Sequence, residues 1–213
     1  MADKSIITIA LSKGRLADKA IDLLVKCGVN CANLKDETRQ LQLFDADKKI
    51  KFVFVKPSDV PTYVERGVAD IGVVGKDTLL EEQKDVYEML DLNLAKCKLS
   101  VAGKQNFDFK NLNRNLRVGT KYVNVARDYF YKQGMEVDII KLHGSVELAP
   151  LIELSDVIVD VVESGKTLKA NGLVVLQDIC NCSARLIVNK ASLKTKSDKI
   201  EPLLSKLRLQ MRK

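Results

Sequence analysis

The chain has 213 residues, 46% of them apolar and 30% charged, with a net charge of +7. That is the profile of a globular protein long enough to bury a core without disulfide or metal staples, and it excludes a disordered or fibrous chain. No apolar run reaches the roughly 18 residues of a membrane helix. The N-terminus runs straight into Ile6–Leu11 without the basic lead and cleavage site of a secretory signal, so a cytoplasmic protein is expected.

Ile6–Leu11 reads as a strand. A helix from Gly14 to Cys27 follows, with Ala17, Ala20, Ile21 and Leu24 on one face and Gly28 placed to cap its end. Lys51–Val55 is near-continuously apolar, as expected of a strand covered on both faces. Ser58 or Asp59 is placed to cap a short helix reaching Arg66, which Gly67 ends. A strand at Ile71–Val74 and a helix at Thr78–Gln83 come next. Gly103 to Asn115 is polar, asparagine-rich and aperiodic, and suggests a break between two lobes. Beyond it, strands at Leu116–Val118, Val137–Leu142 and Val157–Val162 alternate with helices at Val125–Gln133 and Val146–Leu154. Two further strands, Leu173–Ile179 and Arg185–Val188, precede a last helix. Such alternation predicts an α/β fold with largely parallel sheets and ligands at the carboxyl ends of strands.

The last helix carries most of the charge. Residues 190–213 hold eight basic and two acidic side chains, so +6 of the net +7 lies there and +1 over the rest. Ile200, Leu203, Leu204 and Leu207 have the spacing of an amphipathic helix, with Pro202 expected in its first turn. A basic balance suits an anionic partner: nucleic acid, a membrane surface or a phosphorylated small molecule. Nucleic acid is disfavoured, because only 5% of residues are aromatic and the basic excess sits in one terminal segment.

Several short motifs bear on chemistry. Asp160 to Leu168 delivers two carboxylates, Asp160 and Glu163, from an apolar strand into a turn of Ser164, Gly165, Lys166 and Thr167. A Walker A loop would need glycine at position 160, so that reading fails. Two readings remain: a cradle of backbone N–H groups and hydroxyls for a sugar phosphate, whose ribose hydroxyls a carboxylate would bind, or an ordinary Ser-Gly turn. Ser12-Lys13-Gly14-Arg15 opens the first helix, as an anion site or as a solvated helix start. Gly75, Lys76 and Asp77 lie where a strand meets a helix, and packing or a ligand would each explain the glycine. The single histidine, His143, supports no triad. Five cysteines without an export signal read as reduced thiols, and Cys180-x-Cys182 lacks a second ligand pair for zinc.

Taken in order, Ala10–Leu16, Lys56–Asp77, Thr120-Lys121-Tyr122, Gly144–Pro150, Asp160–Leu173 and Ser183–Asn189 resemble the ATP phosphoribosyltransferases over nearly the whole chain, in the short form without a C-terminal regulatory domain. The resemblance implies a two-lobed fold like the type II periplasmic binding proteins, with the active site in a cleft. Lobe I is expected at 1–93 plus 177–213, and lobe II at 94–176. The implied reaction is transfer of phosphoribose from phosphoribosyl pyrophosphate to adenine N1 of ATP, with magnesium (Mg2+) carried mainly on substrate pyrophosphate and no metal site in the protein itself. By this resemblance Lys13, Arg15, Asp160 and Glu163 are catalytic. Ser12, Gly14, Lys56, Asp70, Gly75, Asp77, Glu147, Ser164, Gly165, Lys166, Thr167 and Leu168 would bind substrate; at Lys56 the family often has arginine. The implied partners are copies of the same chain and a regulatory subunit resembling histidyl-tRNA synthetase; neither nucleic acid nor membrane is expected. A non-catalytic two-lobed solute-binding module is the competing expectation.

Overall fold

A computed structural model describes residues 6–34, 40–109, 112 and 114–211. The chain forms two compact units, Met1–Ala95 with Ser183–Lys213, and Lys96–Cys182. In the first unit come β1 (Ile7–Ser12), α1 (Arg15–Lys26), β2 (Gln42–Phe44), β3 (Ile50–Val55), α2 (Val60–Glu65), β4 (Ile71–Gly75), α3 (Lys76–Glu82) and β5 (Tyr87–Asp91). The second unit holds β6 (Cys97–Lys104), β7 (Leu116–Thr120), α4 (Val123–Lys132), β8 (Val137–Lys141), β9 (Val157–Val162), α5 (Lys166–Ala170) and β10 (Leu173–Cys182). The chain then returns to the first unit as β11 (Ala184–Val188), α6 (Lys190–Thr195) and α7 (Ser197–Met211). The asparagine-rich break therefore lies inside the second unit. The return expected at residue 177 comes at Ser183, because β10 stays paired with β6 as far as Cys182.

The first sheet runs β2-β3-β1-β4-β11-β5 and the second β10-β6-β9-β7-β8. Both are mixed, which corrects the expectation of largely parallel sheets. β1 runs parallel to β3 and β4, and β7 to β8 and β9. Those strands are joined by helical crossovers, as parallel pairing requires. β2, β5, β6, β10 and β11 pair antiparallel.

Side-chain alternation along β1 sets the packing of the first unit. Ile7, Ile9 and Leu11 join Ala17, Ala20, Ile21 and Leu24 of α1 and Ile200, Leu203, Leu204 and Leu207 of α7 in one core. Ala10 faces the other side with Val60 and Val64 of α2. That layer is thin: a Cβ at Gly72 would come within 2.8 Å of Val64 Cγ2 and 2.9 Å of Val60 Cγ1. Helix α1 ends in a Schellman motif. Gly28 N–H donates to Val25 O (2.9 Å) and Val29 N–H to Leu24 O (3.1 Å), with Gly28 at φ 87°.

Two local expectations change. Pro202 lies inside α7, past its first turn, so the helix forgoes a backbone hydrogen bond there and rests on its buried leucine stripe. The helix expected over 146–154 shrinks to a 3-10 turn, Val146–Leu148. Pro150 has no N–H to give to Val146 O, and its ring would crowd that carbonyl in a helix.

At the amino end of β9, the Asp156 carboxylate accepts from Arg114 Nη1 and Nη2 (both 2.7 Å), from Arg117 N–H (2.9 Å) and from Arg117 Nη2 (3.0 Å). The Arg114 guanidinium, followed by Arg117, holds this carboxyl far below the usual carboxylate range against the opposing effect of burial. The stability it adds is complete above the unfolded carboxylate range near pH 4 and is lost as pH falls toward the depressed native value. We expect Asp156→Asn to lower Tm by roughly 5 °C at neutral pH, Arg114 being half exposed. Calorimetry from neutral pH into the acid range should show that deficit shrinking as wild type loses the same contribution.

Candidate active site

The parallel strands of the second unit present their carboxyl ends along one edge. Thr120 pairs with Val159 on one side and Lys141 on the other, so the segments following β7, β8 and β9 leave the sheet together. Buried Thr120 shapes this edge: its Oγ1 donates to Val159 O (2.6 Å) and accepts from Tyr122 N–H (2.8 Å). Lys121 is thereby aimed at β9, with Nζ 3.9 Å from Asp160 Oδ1 and 4.8 Å from the Tyr122 ring centroid. Glu147 stands half-buried on the 3-10 turn beyond β8.

Beyond Asp160 the chain bends through Glu163, Ser164 and Gly165 into α5. Gly165 adopts φ 69°, a left-handed conformation that strains any residue with a Cβ. The first intrahelical bond is Lys169 N–H to Gly165 O (3.0 Å), and a helix leaves its earliest N–H groups without intrahelical partners. Leu168 anchors the loop, buried with Ala102, Val146, Ile158 and Leu173. Glu163, Ser164, Lys166 and Thr167 stay exposed. The loop thus combines a fixed apolar root with an outward set of donors and a carboxylate.

Next to it lies a cavity of about 470 Å³ lined by residues that include Lys96, Lys98, Ser100, Glu163 and Asp178. Asp178 accepts from Lys98 Nζ (2.6 Å) and Ser100 Oγ (2.9 Å). Those two donors, Lys98 first, hold its carboxyl below the usual carboxylate range. Sequence reasoning left Lys121, Lys96 and Lys98 out of the candidate site. Lys121 had a signal, a cation immediately after an apolar strand; Lys98 had one too, the alternation of Lys98 and Ser100 with Leu99 and Val101 that marks β6 as a strand.

In the first unit a second carboxyl edge gathers another group of candidates. Ser12 pairs with Val55 across β1 and β3, so Lys13, Gly14 and Arg15 emerge beside Lys56. The parallel β1–β4 register brings Gly75 and Asp77 to the same edge. Ser12 is buried, whereas Lys13, Gly14, Arg15 and Lys56 are exposed. Gly14 makes the turn at φ 106°. The Asp77 carboxylate folds back over Gly75 and would have to swing away to admit a Cβ there.

Asp70 sits elsewhere. It precedes β4 and so occupies the opposite, amino edge, with 4% of its surface exposed. Its carboxylate accepts from Thr8 N–H (2.8 Å), Ser192 Oγ (2.6 Å) and Lys196 Nζ (2.8 Å). These bonds tie β1 and β4 to α6 and α7, a structural role that replaces the substrate contact expected for Asp70.

Two α/β units with mixed sheets, each offering cations or phosphate-type donors at a carboxyl edge, define a protein of the type II periplasmic-binding-protein class. The periplasmic aliphatic sulphonate binding protein SsuA of Escherichia coli has this fold, with a TM-score of 0.61 at 13% identity over 95% of this chain and 71% of that one. The chain belongs to the ATP phosphoribosyltransferase family: the model described as "HisG: ATP phosphoribosyltransferase" matches residues 56–209. The ATP phosphoribosyltransferase of Ruminiclostridium cellulolyticum is 55% identical over 204 residues, 95% of each chain. That of Clostridium acetobutylicum is 50% identical over 208 residues, 98% of this chain and 97% of its own. Among solved structures, the ATP phosphoribosyl transferase (HisG:HisZ) complex from Thermotoga maritima contains a chain with a TM-score of 0.85 and 35% identity, over 97% of this chain and 99% of that one.

Proposed function

We propose that this chain is an ATP phosphoribosyltransferase, opening histidine biosynthesis by joining adenine N1 of ATP to the anomeric carbon of phosphoribosyl pyrophosphate and releasing pyrophosphate. The observation that carries this reading is the Asp160–Leu168 segment: one carboxylate, Asp160, within β9 and another, Glu163, just past its end, then a left-handed glycine and exposed donors on a buried leucine root. In a chain of this family the loop holds the 5-phosphate with Ser164, Thr167 and the backbone N–H groups around Gly165. Asp160 or Glu163 orients the ribose through its hydroxyls.

The adenine nitrogen attacks with its own lone pair, so no strong base is required. Catalysis is then positioning together with stabilisation of charge as the sugar–pyrophosphate bond breaks. Lys13 and Arg15 neutralise phosphate charge, with Lys56 as a further cation. Among the described residues no cluster of three His, Cys, Asp or Glu side chains is placed to hold a metal ion. Magnesium would be carried mainly on the pyrophosphate oxygens of the substrate, with whichever of Asp160 and Glu163 does not hold the ribose able to add a hard oxygen to its shell. Bound there with the substrate, magnesium would neutralise the departing pyrophosphate.

We further propose that the chain works in the cytoplasm, assembled with copies of itself and a separate regulatory subunit resembling histidyl-tRNA synthetase. No helix among the described residues is long and apolar enough to cross a membrane. Adenine absorbance should change only when ATP, phosphoribosyl pyrophosphate and Mg2+ are all present. Arg15→Ala should lower kcat/KM by about 30-fold, the value of one charge-assisted contact of roughly 2 kcal/mol. An unchanged absorbance with the regulatory subunit supplied refutes the activity; a wild-type rate in Arg15→Ala refutes the role of that arginine.

A further inference from the structure

None of the five cysteines is in a disulfide, and three of them gather on one face of the second sheet. β10 changes register between Asp178 and Cys180; beyond that point Cys180 pairs with Leu99 and Cys182 with Cys97. Residues two apart on a strand share a face, and the Sγ atoms of Cys180 and Cys182 stand 3.9 Å apart. Cys180 is half-buried and open to a small reagent, while Cys182 is 3% exposed. We propose that Cys180 and Cys182 form a hydroperoxide-sensitive dithiol, with Cys180 the thiol that reacts with the peroxide and Cys182 its resolving partner.

The chemistry balances on these two residues and the peroxide. The Cys180 sulfur attacks the terminal peroxide oxygen and breaks the O–O bond, giving Cys180 sulfenic acid and an alcohol, or water when the oxidant is hydrogen peroxide. The Cys182 sulfur then attacks the sulfenic sulfur, forming the S–S bond and releasing water. Two thiols lose two electrons and two protons, and the peroxide accepts them. At about 3.3–3.4 Å per residue, strand positions two apart lie near the upper end of the Cα separation a disulfide tolerates. Such a bond is readily reduced, which suits a reversible modification rather than a permanent staple. The buried thiols of the first unit provide an internal contrast. Cys27 and Cys31 are 6% and 2% exposed, and burial pushes the Cys27 thiol up, away from its reactive thiolate.

The test uses the full chain, reduced and then treated with hydrogen peroxide before alkylation under denaturing conditions and peptide mass mapping. Two alkylatable thiols per chain should be lost, and the tryptic peptide ending at Arg185 should be lighter by two hydrogens. Dithiothreitol should restore both thiols, while Cys27 and Cys31 alkylate fully throughout. In Cys182→Ser, Cys180 should accumulate as sulfenic acid captured by dimedone. The inference is overturned if Cys180 and Cys182 both remain alkylatable, if Cys182 links instead to Cys97, or if no dimedone adduct forms on Cys180. The wild-type mapping decides the pairing whether or not the variant folds, and it does not depend on the proposed activity.

Discussion

Asp160→Asn is expected to lower kcat/KM by roughly 100-fold, with the fold retained. Asparagine keeps the shape of the side chain, and β9 remains paired on both edges, with Ser100 opposite residue 160. The negative charge is what disappears. A hydrogen bond to an ionised group contributes about 1.5–3 kcal/mol, and on the proposed reading Asp160 directs that charge at ribose hydroxyls and at the positive charge developing on the sugar ring. Lys121, 3.9 Å from Asp160 Oδ1, would then be left beside a neutral amide, pulling local charge further from what the transition state favours. Steady-state kinetics checks the rate and thermal unfolding checks the fold. A wild-type kcat/KM would remove Asp160 from catalysis.

The second large effect is on stability alone. Asp70→Asn should lower Tm by roughly 10 °C, because removing one partner of a buried ion pair costs about 3–5 kcal/mol. The Lys196 side chain is 18% exposed and that of Asp70 5%, so the ammonium would stay largely buried with its counter-charge gone. Its Nζ also donates to Ile6 O at 2.8 Å, a neutral acceptor. Asparagine could still accept from Thr8 N–H or Ser192 Oγ, but not with full charge. Differential scanning calorimetry measures the shift. At a temperature where both proteins are folded, kcat/KM should fall less than 3-fold, whereas a loss comparable to that of Asp160→Asn would return Asp70 to the substrate site.

Much of this architecture can be read from residues alone, where burial and local pattern agree. Helix α1 shows its stripe and its Gly28 cap, α7 its leucine face, and the Asp160–Leu168 loop its strand, carboxylates and glycine. What was missed at β5, at the edge of β6 and at Asp70 shares a cause: partners distant in the chain. β5 looks polar because Glu88 and Asp91 sit in it, yet Arg185 bonds both, at 3.3 and 3.0 Å, and Lys76 meets Glu88 at 2.6 Å. β6 does alternate, Lys98 and Ser100 against Leu99 and Val101, but only the pairing of both with Asp178 of β10 shows what its polar face does. Asp70 precedes a strand that ends in glycine, a local context that suits a ligand site; only Ser192 and Lys196, far along the chain, commit it to the core. Pro150 was the one local signal against the helix expected at 146–154, and apolar spacing outweighed it.

Formation of a bond between adenine N1 and the anomeric carbon of phosphoribose is the reaction proposed for this chain. Its most direct test is to analyse, by mass spectrometry and NMR, the products formed from ATP and phosphoribosyl pyrophosphate with Mg2+ and the regulatory subunit present. The expected products are N1-(5-phosphoribosyl)-ATP and pyrophosphate in a one-to-one ratio. Unmodified ATP, or pyrophosphate released with free ribose 5-phosphate and no adenine adduct, would contradict it.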